Sequence, residues 1–176
     1  MSRLTLASRF ACSCLAAAAC LLATAHANGS ANEETSQARV SLPPSLPGPH
    51  GKKVELSAPA NGYLVLVFYS SECPISNAYS PTLKALTDAF PSDRVKWAGV
   101  CVDYDLSEQD LSTHATDFQL GFPILQDRDG SIAKAVGAKM TPEVFVIDPK
   151  GEVPYHGRID DQFARRGVRN ANPTGN

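Results

Sequence analysis

The run YLVLVFYS, Tyr63 to Ser70, narrows the fold more than any other part of the chain. A strand with one wet face alternates apolar and polar residues. This run is apolar almost throughout, as in a parallel sheet whose two faces are both covered by helices. Cys73 and Pro74 follow closely, and then Ile75, Tyr79, Leu83, Leu86 and Phe90 recur at helical spacing up to Pro91. The pattern predicts a buried strand handing over to an amphipathic helix, with a cysteine at the junction. Downstream, VKWAGVCVD from Val95 reads as a second strand. LSEQDLSTHATDF reads as a helix with Ser107 as N-cap and Glu108 and Asp110 in its first turn. FPILQD is a strand and SIAKAVGA a short helix, and EVFVID and VPYHGRI form a hairpin whose turn holds Pro149 and Gly151. Upstream, KKVELS alternates as a short strand. Helices alternating with apolar strands predict an α/β domain covered on both faces, and the closing hairpin makes its sheet mixed.

The first 27 residues carry Arg3 and Arg9, an apolar stretch from Phe10, and the small-residue ending Ala25-His26-Ala27. This is the build of a secretory signal peptide cleaved after Ala27, and it predicts an exported protein, periplasmic or secreted. A membrane anchor fits less well, because the segment is short, Ala-rich and followed at once by polar sequence. A lipid-anchored Cys20 lacks the larger aliphatic residue usual three places earlier. Cleavage removes two arginines and no acid, taking the formal charge from −2 to −4, so no nucleic acid or anionic membrane is expected as a partner. It also removes Cys12, Cys14 and Cys20, leaving Cys73 and Cys101 of the five cysteines. Two cysteines do not make a disulfide scaffold; either they pair, or at least one is kept as a thiol for chemistry. Residues 28–50, rich in Ser, Asn, Glu, Pro and Gly, read as a flexible lead-in that runs into an extended arm rather than a packed element, residues 51–161 as the domain, and residues 162–176 as a polar tail.

Four segments in order, LVLVFYSSECP, FPILQDRDGSIAKAVGA, TPEVFVID and GEVPYHGRIDD, carry a family likeness from about Gly51 to Asp161. Together they resemble the thioredoxin fold, and more narrowly the redoxin branch that includes the alkyl hydroperoxide reductase/thiol-specific antioxidant (AhpC/TSA) proteins. The resemblance implies a three-layer α/β/α sandwich with a mixed central sheet. It also implies a cis bond between Thr141 and Pro142 beside the reactive cysteine, where backbone groups are free to pair with an extended substrate chain. Without the resemblance, an ordinary trans Thr-Pro opening a strand is the plainer reading. Proteins of this class end with a helix packed on the sheet, but QFARRGVRNANPTGN has too few apolar residues to cover one. The C-terminal helix is therefore expected to be missing, leaving an exposed apolar patch.

A cysteine is nucleophilic as thiolate, and its pKa of roughly 8.5 falls when the sulfur sits at a helix start, where unpaired N–H groups stabilise negative charge. Cys73 has such a place, and Pro74 suits the first helical turn. The plain alternative is a half-buried structural cysteine. In dithiol enzymes of the fold a second cysteine stands where this chain has Ser76. An alcohol cannot attack a mixed disulfide, although it can donate a hydrogen bond to the Cys73 thiolate or simply sit on the helix surface. Glu72, next to the sulfur, is expected to raise its pKa. The peroxiredoxin pattern is matched by the Ser70 hydroxyl and broken by Leu66, which stands where a proline is usual, while Arg158 is the candidate cation. The resemblance thus implies Cys73, Ser70, Ser76 and Pro142 as catalytic residues, and Thr141, Pro74 and Arg158 as substrate-binding ones.

Cys101 is assigned to the core, because an interior strand accepts a small apolar side chain and a direct bond to Cys73 needs Cα atoms within about 7 Å. Cys73 then works alone and an outside thiol completes each cycle. Copper chaperones of the Sco type share the fold but use two cysteines and a histidine. This chain has one cysteine at the loop, and His156 reads as an exposed strand residue, so no metal and no cofactor is expected. DRDG, from Asp127, reads as a turn rather than a calcium loop. The expected function is an exported thiol oxidoreductase acting on peroxides or disulfides, with an external thiol reductant or client protein as partner. The rival readings are a non-catalytic partner-binding protein and a copper-handling chaperone.

Overall fold

The computed structural model describes residues 39–174 apart from Pro91 and Arg166. The segment read as a signal peptide, with Cys12, Cys14, Cys20 and His26, lies outside the described residues, as does the helix-closing Pro91. The central sheet is built from β3 (Tyr63–Tyr69), β4 (Val95–Cys101), β5 (Ile124–Gln126), β6 (Glu143–Ile147) and β7 (Tyr155–Gly157), in the order β5-β4-β3-β6-β7. Strand β4 runs parallel to β3 and β5, whereas β6 is antiparallel to β3 and β7. The sheet is therefore mixed, as the closing hairpin predicts. Along β3, Leu64, Leu66 and Phe68 point to one face and Val65, Val67 and Tyr69 to the other, and all six are buried. This two-sided burial is why the run lacks polar alternation. Helix α4 (Ser131–Val136) covers the first face through Ile132. The second face is covered by α1 (Pro74–Ala78), α2 (Ser80–Ala89) and α3 (Glu108–Asp117) through Ile75, Leu83 and Leu111. The result is a three-layer α/β/α sandwich.

One helix was expected after Cys73 and two short ones are found, parted at Tyr79 (φ −86, ψ −5). Apolar spacing alone conceals Pro81, which has no N–H to give to the preceding turn and is tolerated where a helix starts afresh. Helix α3 begins as its sequence predicts. Asp110 N–H donates to Ser107 Oγ at 3.1 Å and Ser107 N–H to Asp110 Oδ2 at 2.9 Å, a capping box. The DRDG segment is a turn, and its buried Asp127 accepts the N–H groups of Ile132 at 3.1 Å and Ala133 at 2.8 Å, capping α4.

Part of the lead-in departs from expectation. Strand β1 (Ser45–Pro47) pairs antiparallel with β2 (Lys53–Glu55), and the Val40 N–H donates to the Gly151 carbonyl at 2.8 Å. Val40, Leu42 and Leu46 pack against the α4 face of the core. Proline composition suggested flexibility, but proline is compatible with an edge strand, and these three side chains bury apolar surface that holds the arm down.

The tail also has more structure than its polarity suggested. Strands β8 (Phe163–Arg165) and β9 (Val168–Arg169) form a small hairpin. Buried Asp161 accepts the Thr174 N–H at 2.8 Å and the Thr174 hydroxyl at 2.7 Å. Among the described residues no helix follows β7, and the sheet beside α2 stays open as an apolar groove lined by Val65, Leu86, Phe90, Trp97, Val146 and Tyr155. This groove is an exposed apolar patch of the kind expected from the sequence. Among the described residues, no helix is long and apolar enough to cross a membrane.

Candidate active site

Cys73 occupies the N-cap position of α1, beyond the end of β3, and is partly exposed. A turn puts it there: its N–H donates to the Ser70 carbonyl at 3.2 Å, and its own carbonyl accepts the Asn77 N–H at 3.0 Å. Pro74 opens the helix without leaving an N–H unpaired. Across the site, the Cys73 thiol donates to the Thr141 carbonyl at 3.8 Å, and the Thr141–Pro142 peptide bond is cis. Burial acts to raise the thiol pKa. Hydrogen bonds from the Ser76 backbone and hydroxyl, the Ile75 N–H and the Thr141 side chain outweigh it, so the net position is below that of an ordinary cysteine. The protonated sulfur donates to Thr141, and the thiolate accepts from the groups around it.

Ser76 is fully buried, not on the helix surface, and its Oγ makes no hydrogen bond among the described residues, which leaves it available to the sulfur when that is ionised. The reason is rotation: three residues past Cys73, Ser76 falls on the inward face of α1. Ser70 enters the site through its carbonyl. Glu72 is exposed, and the larger influences on Cys73 are burial and the donors around it. Solvent screens an exposed charge even at short sequence distance. Leu66, mid-strand in β3, is wholly buried. Arg158 lines the apolar groove, where its charge acts on Tyr79.

Cys101 ends β4 beside Tyr69, is fully buried, and donates its S–H to Asp103 Oδ2 at 3.5 Å. Burial, and secondarily the charge and acceptor of Asp103, push its pKa up to about 12. Both cysteines are free, and Cys101 sits in the core where the sequence reading placed it.

Five residues around the loop were not singled out for the site from sequence. Tyr69 donates its hydroxyl to Asn77 Oδ1 at 2.6 Å and lies 3.0 Å from His114 Nε2. Asn77 Nδ2 donates to the Ser71 carbonyl at 2.9 Å, while Asp103 Oδ2 accepts the Ser71 N–H at 3.1 Å. Glu143, buried at the start of β6, accepts the N–H groups of Lys139 at 2.8 Å and Met140 at 3.4 Å and so shapes the loop that carries Thr141. His114 stacks on Phe118 with centroids 4.3 Å apart, and burial holds its pKa below that of free histidine. The available signals were weak: Asn77 is one helical turn past Cys73, and Asp103 is just past a strand end. Among the described residues, no group of three or more His, Cys, Asp or Glu side chains is placed to hold a metal.

Residues 41–156 match the AhpC/TSA family. The thioredoxin-like protein SkfH of Bacillus subtilis is 29% identical over 114 residues, 63% of this chain and 79% of SkfH. The crystal structure of StoA from Bacillus subtilis is similar at a TM-score of 0.54 and 25% identity, over 64% of this chain and 84% of that one. A thiol-disulfide oxidoreductase from Bacteroides fragilis, at a TM-score of 0.55 and 24% identity over 65% of this chain and 86% of its own, shares the fold.

Proposed function

The chain belongs to the AhpC/TSA family, and on that premise we propose that it is an exported thiol oxidoreductase that works through one reactive cysteine, Cys73. The observation that carries this reading is the sulfur held between the start of α1 and the Thr141 carbonyl, ringed by donors that favour its anion. Disulfide exchange suits the site better than peroxide reduction. The Ser70 hydroxyl makes no hydrogen bond to the sulfur, Leu66 fills the place of the peroxiredoxin proline, and the Arg158 charge acts on Tyr79.

In the first step the Cys73 thiolate attacks one sulfur of a substrate disulfide, forming a mixed disulfide and expelling the other sulfur as thiolate. Ser76 cannot resolve this species. An external thiolate attacks the substrate's sulfur, Cys73 leaves as thiolate, and the substrate departs joined to the external thiol. One disulfide is consumed and one made, with no net redox change. Thr141 and Pro142 line the side from which an extended client would approach, Pro74 starts the helix, and Arg158 is the cation available to an anionic part of the client. Residues 1–27 serve as the signal peptide, residues 28–50 as the lead-in and residues 51–161 as the working domain.

The test is Cys73 alkylation followed across pH with peptide mapping, then mass analysis after exposure to a small disulfide. A midpoint below that of free cysteine and a mixed disulfide on Cys73 are expected; an ordinary midpoint with no adduct would sink the reading. The open apolar groove favours a second reading, a protein that holds a partner without turnover. Cys73→Ser separates the two, since a holder keeps its partner and an exchanger loses all activity.

A further inference from the structure

We propose that Asn77 and Asp103 are positioning residues for Cys73, gripping the Ser71 peptide from its two sides; this rests on the reading of Cys73 as the reactive thiol. Ser71 stands two residues before Cys73, in the only covalent link between β3 and α1. Its carbonyl accepts from Asn77 Nδ2 at 2.9 Å. Its N–H donates to Asp103 Oδ2 at 3.1 Å, and its hydroxyl donates to the same oxygen at 3.4 Å. Every hydrogen-bonding group of Ser71 is thus committed, to one partner on α1 and one just past β4.

Proton counting gives the network a direction. The Tyr69 hydroxyl has one proton and donates it to Asn77 Oδ1 at 2.6 Å, so at the 3.0 Å contact His114 Nε2 is the donor. The order is His114 to Tyr69 to Asn77 to Ser71, each donating to the next, and this orients the Asn77 amide with its nitrogen on the Ser71 carbonyl. Asp103 is held in turn: Cys101 donates its S–H to Oδ2 at 3.5 Å, and Gln126 Nε2 donates to the Asp103 carbonyl at 3.1 Å. The loop is therefore tied to β3, β4, α1 and α3 at once. Loosening it lets the sulfur drift from the Ile75 and Ser76 donors and from Thr141, and those groups are what favour the thiolate.

The experiment measures the pH midpoint of Cys73 alkylation by iodoacetamide in the full chain, assigned by peptide mapping, for wild type, Asn77→Ala, Asp103→Ala and Asp103→Asn. Asn77→Ala and Asp103→Ala are expected to raise the midpoint by about one pH unit, which slows alkylation about tenfold below it. Asp103→Asn keeps an oxygen for the Ser71 N–H and restores most of the shift. Tyr69→Phe, which removes one hydroxyl and keeps the ring, serves if the alanine variants fail to fold; a smaller shift in the same direction is expected. A lowered wild-type midpoint that none of the folded variants moves, with only the melting temperature falling, overturns the positioning role alone. An ordinary wild-type midpoint overturns the reading of Cys73 and the positioning role with it.

Discussion

Cys101 and Cys73 lie toward the same end of the sheet, one on a strand beside Tyr69 and the other four residues past Tyr69, yet their surroundings act on them in opposite directions. Burial dominates at Cys101, and the Asp103 carboxylate adds to it, so the S–H form is held up to about pH 12. At Cys73 burial also opposes ionisation, but donors from Ser76, Ile75 and Thr141 outweigh it. The difference lies in the balance of burial and donors at each sulfur. At Cys101 the N–H groups of Asp103 and Ser71 also reach the sulfur, but full burial and the adjoining Asp103 carboxylate outweigh them. The partly exposed Cys73 loses less solvation and sits at a helix start whose N–H groups have no partner of their own.

The largest expected effect separates the two sulfurs outright. Cys73→Ser should lower iodoacetamide labelling at neutral pH more than about 100-fold, while Cys101→Ala leaves the labelling rate within about twofold. Labelling that follows Cys101 instead would reverse the comparison. Ser76→Cys comes next. Placing a second thiol three residues past the first is expected to give a dithiol that forms its own disulfide and releases a mixed disulfide without external thiol, read by product release after a single turnover. Continued dependence on added thiol would show that the buried Ser76 position cannot reach the sulfur.

Stability against pH tests the same contrast. The folded Cys101 binds its proton more tightly than the unfolded chain, so its contribution is complete below about pH 9 and is lost as pH rises toward about 12, with a limiting slope of about 1.4 kcal/mol per pH unit. Cys73, shifted downward, contributes stability that is present above its unfolded pKa and lost as pH falls through its folded one. Cys101→Ala should therefore flatten the alkaline fall in melting temperature, and Cys73→Ser should leave that fall in place. Tyr69, also raised chiefly by burial, leaves some slope in both variants. The smallest effect is expected from Ser76→Ala, which removes one donor and should raise the Cys73 midpoint by about half a pH unit, slowing alkylation about threefold at lower pH.

Much of the fold was legible because burial leaves a local periodic mark. The apolar run of β3, the Ser107 capping box and the turn at Asp127 each declare themselves within a few residues. The break at Tyr79 was missed because apolar spacing continues across it, and only the missing N–H of Pro81 marks the stop. The arm from Val40 is extended as expected, but its packing was missed because the surface that holds Leu42 and Leu46 lies far along the chain. For the candidate site, the place of Cys73 at the start of α1 and the cis Thr141–Pro142 bond were readable, the second through family likeness. Asn77, Asp103 and Glu143 were not, since a polar residue on a helix or at a strand end looks the same whether it faces water or another loop.

By itself the sequence determined that a two-sided strand runs into a helix with a sulfur at the junction, because alternation and helical spacing are properties of neighbouring residues. Only the tertiary structure decided what surrounds that sulfur. Thr141 arrives from 68 positions away and Asp103 is 32 positions from the loop it grips. Donors and acceptors act over about 3 Å, and only the folded sheet brings such distant parts that close.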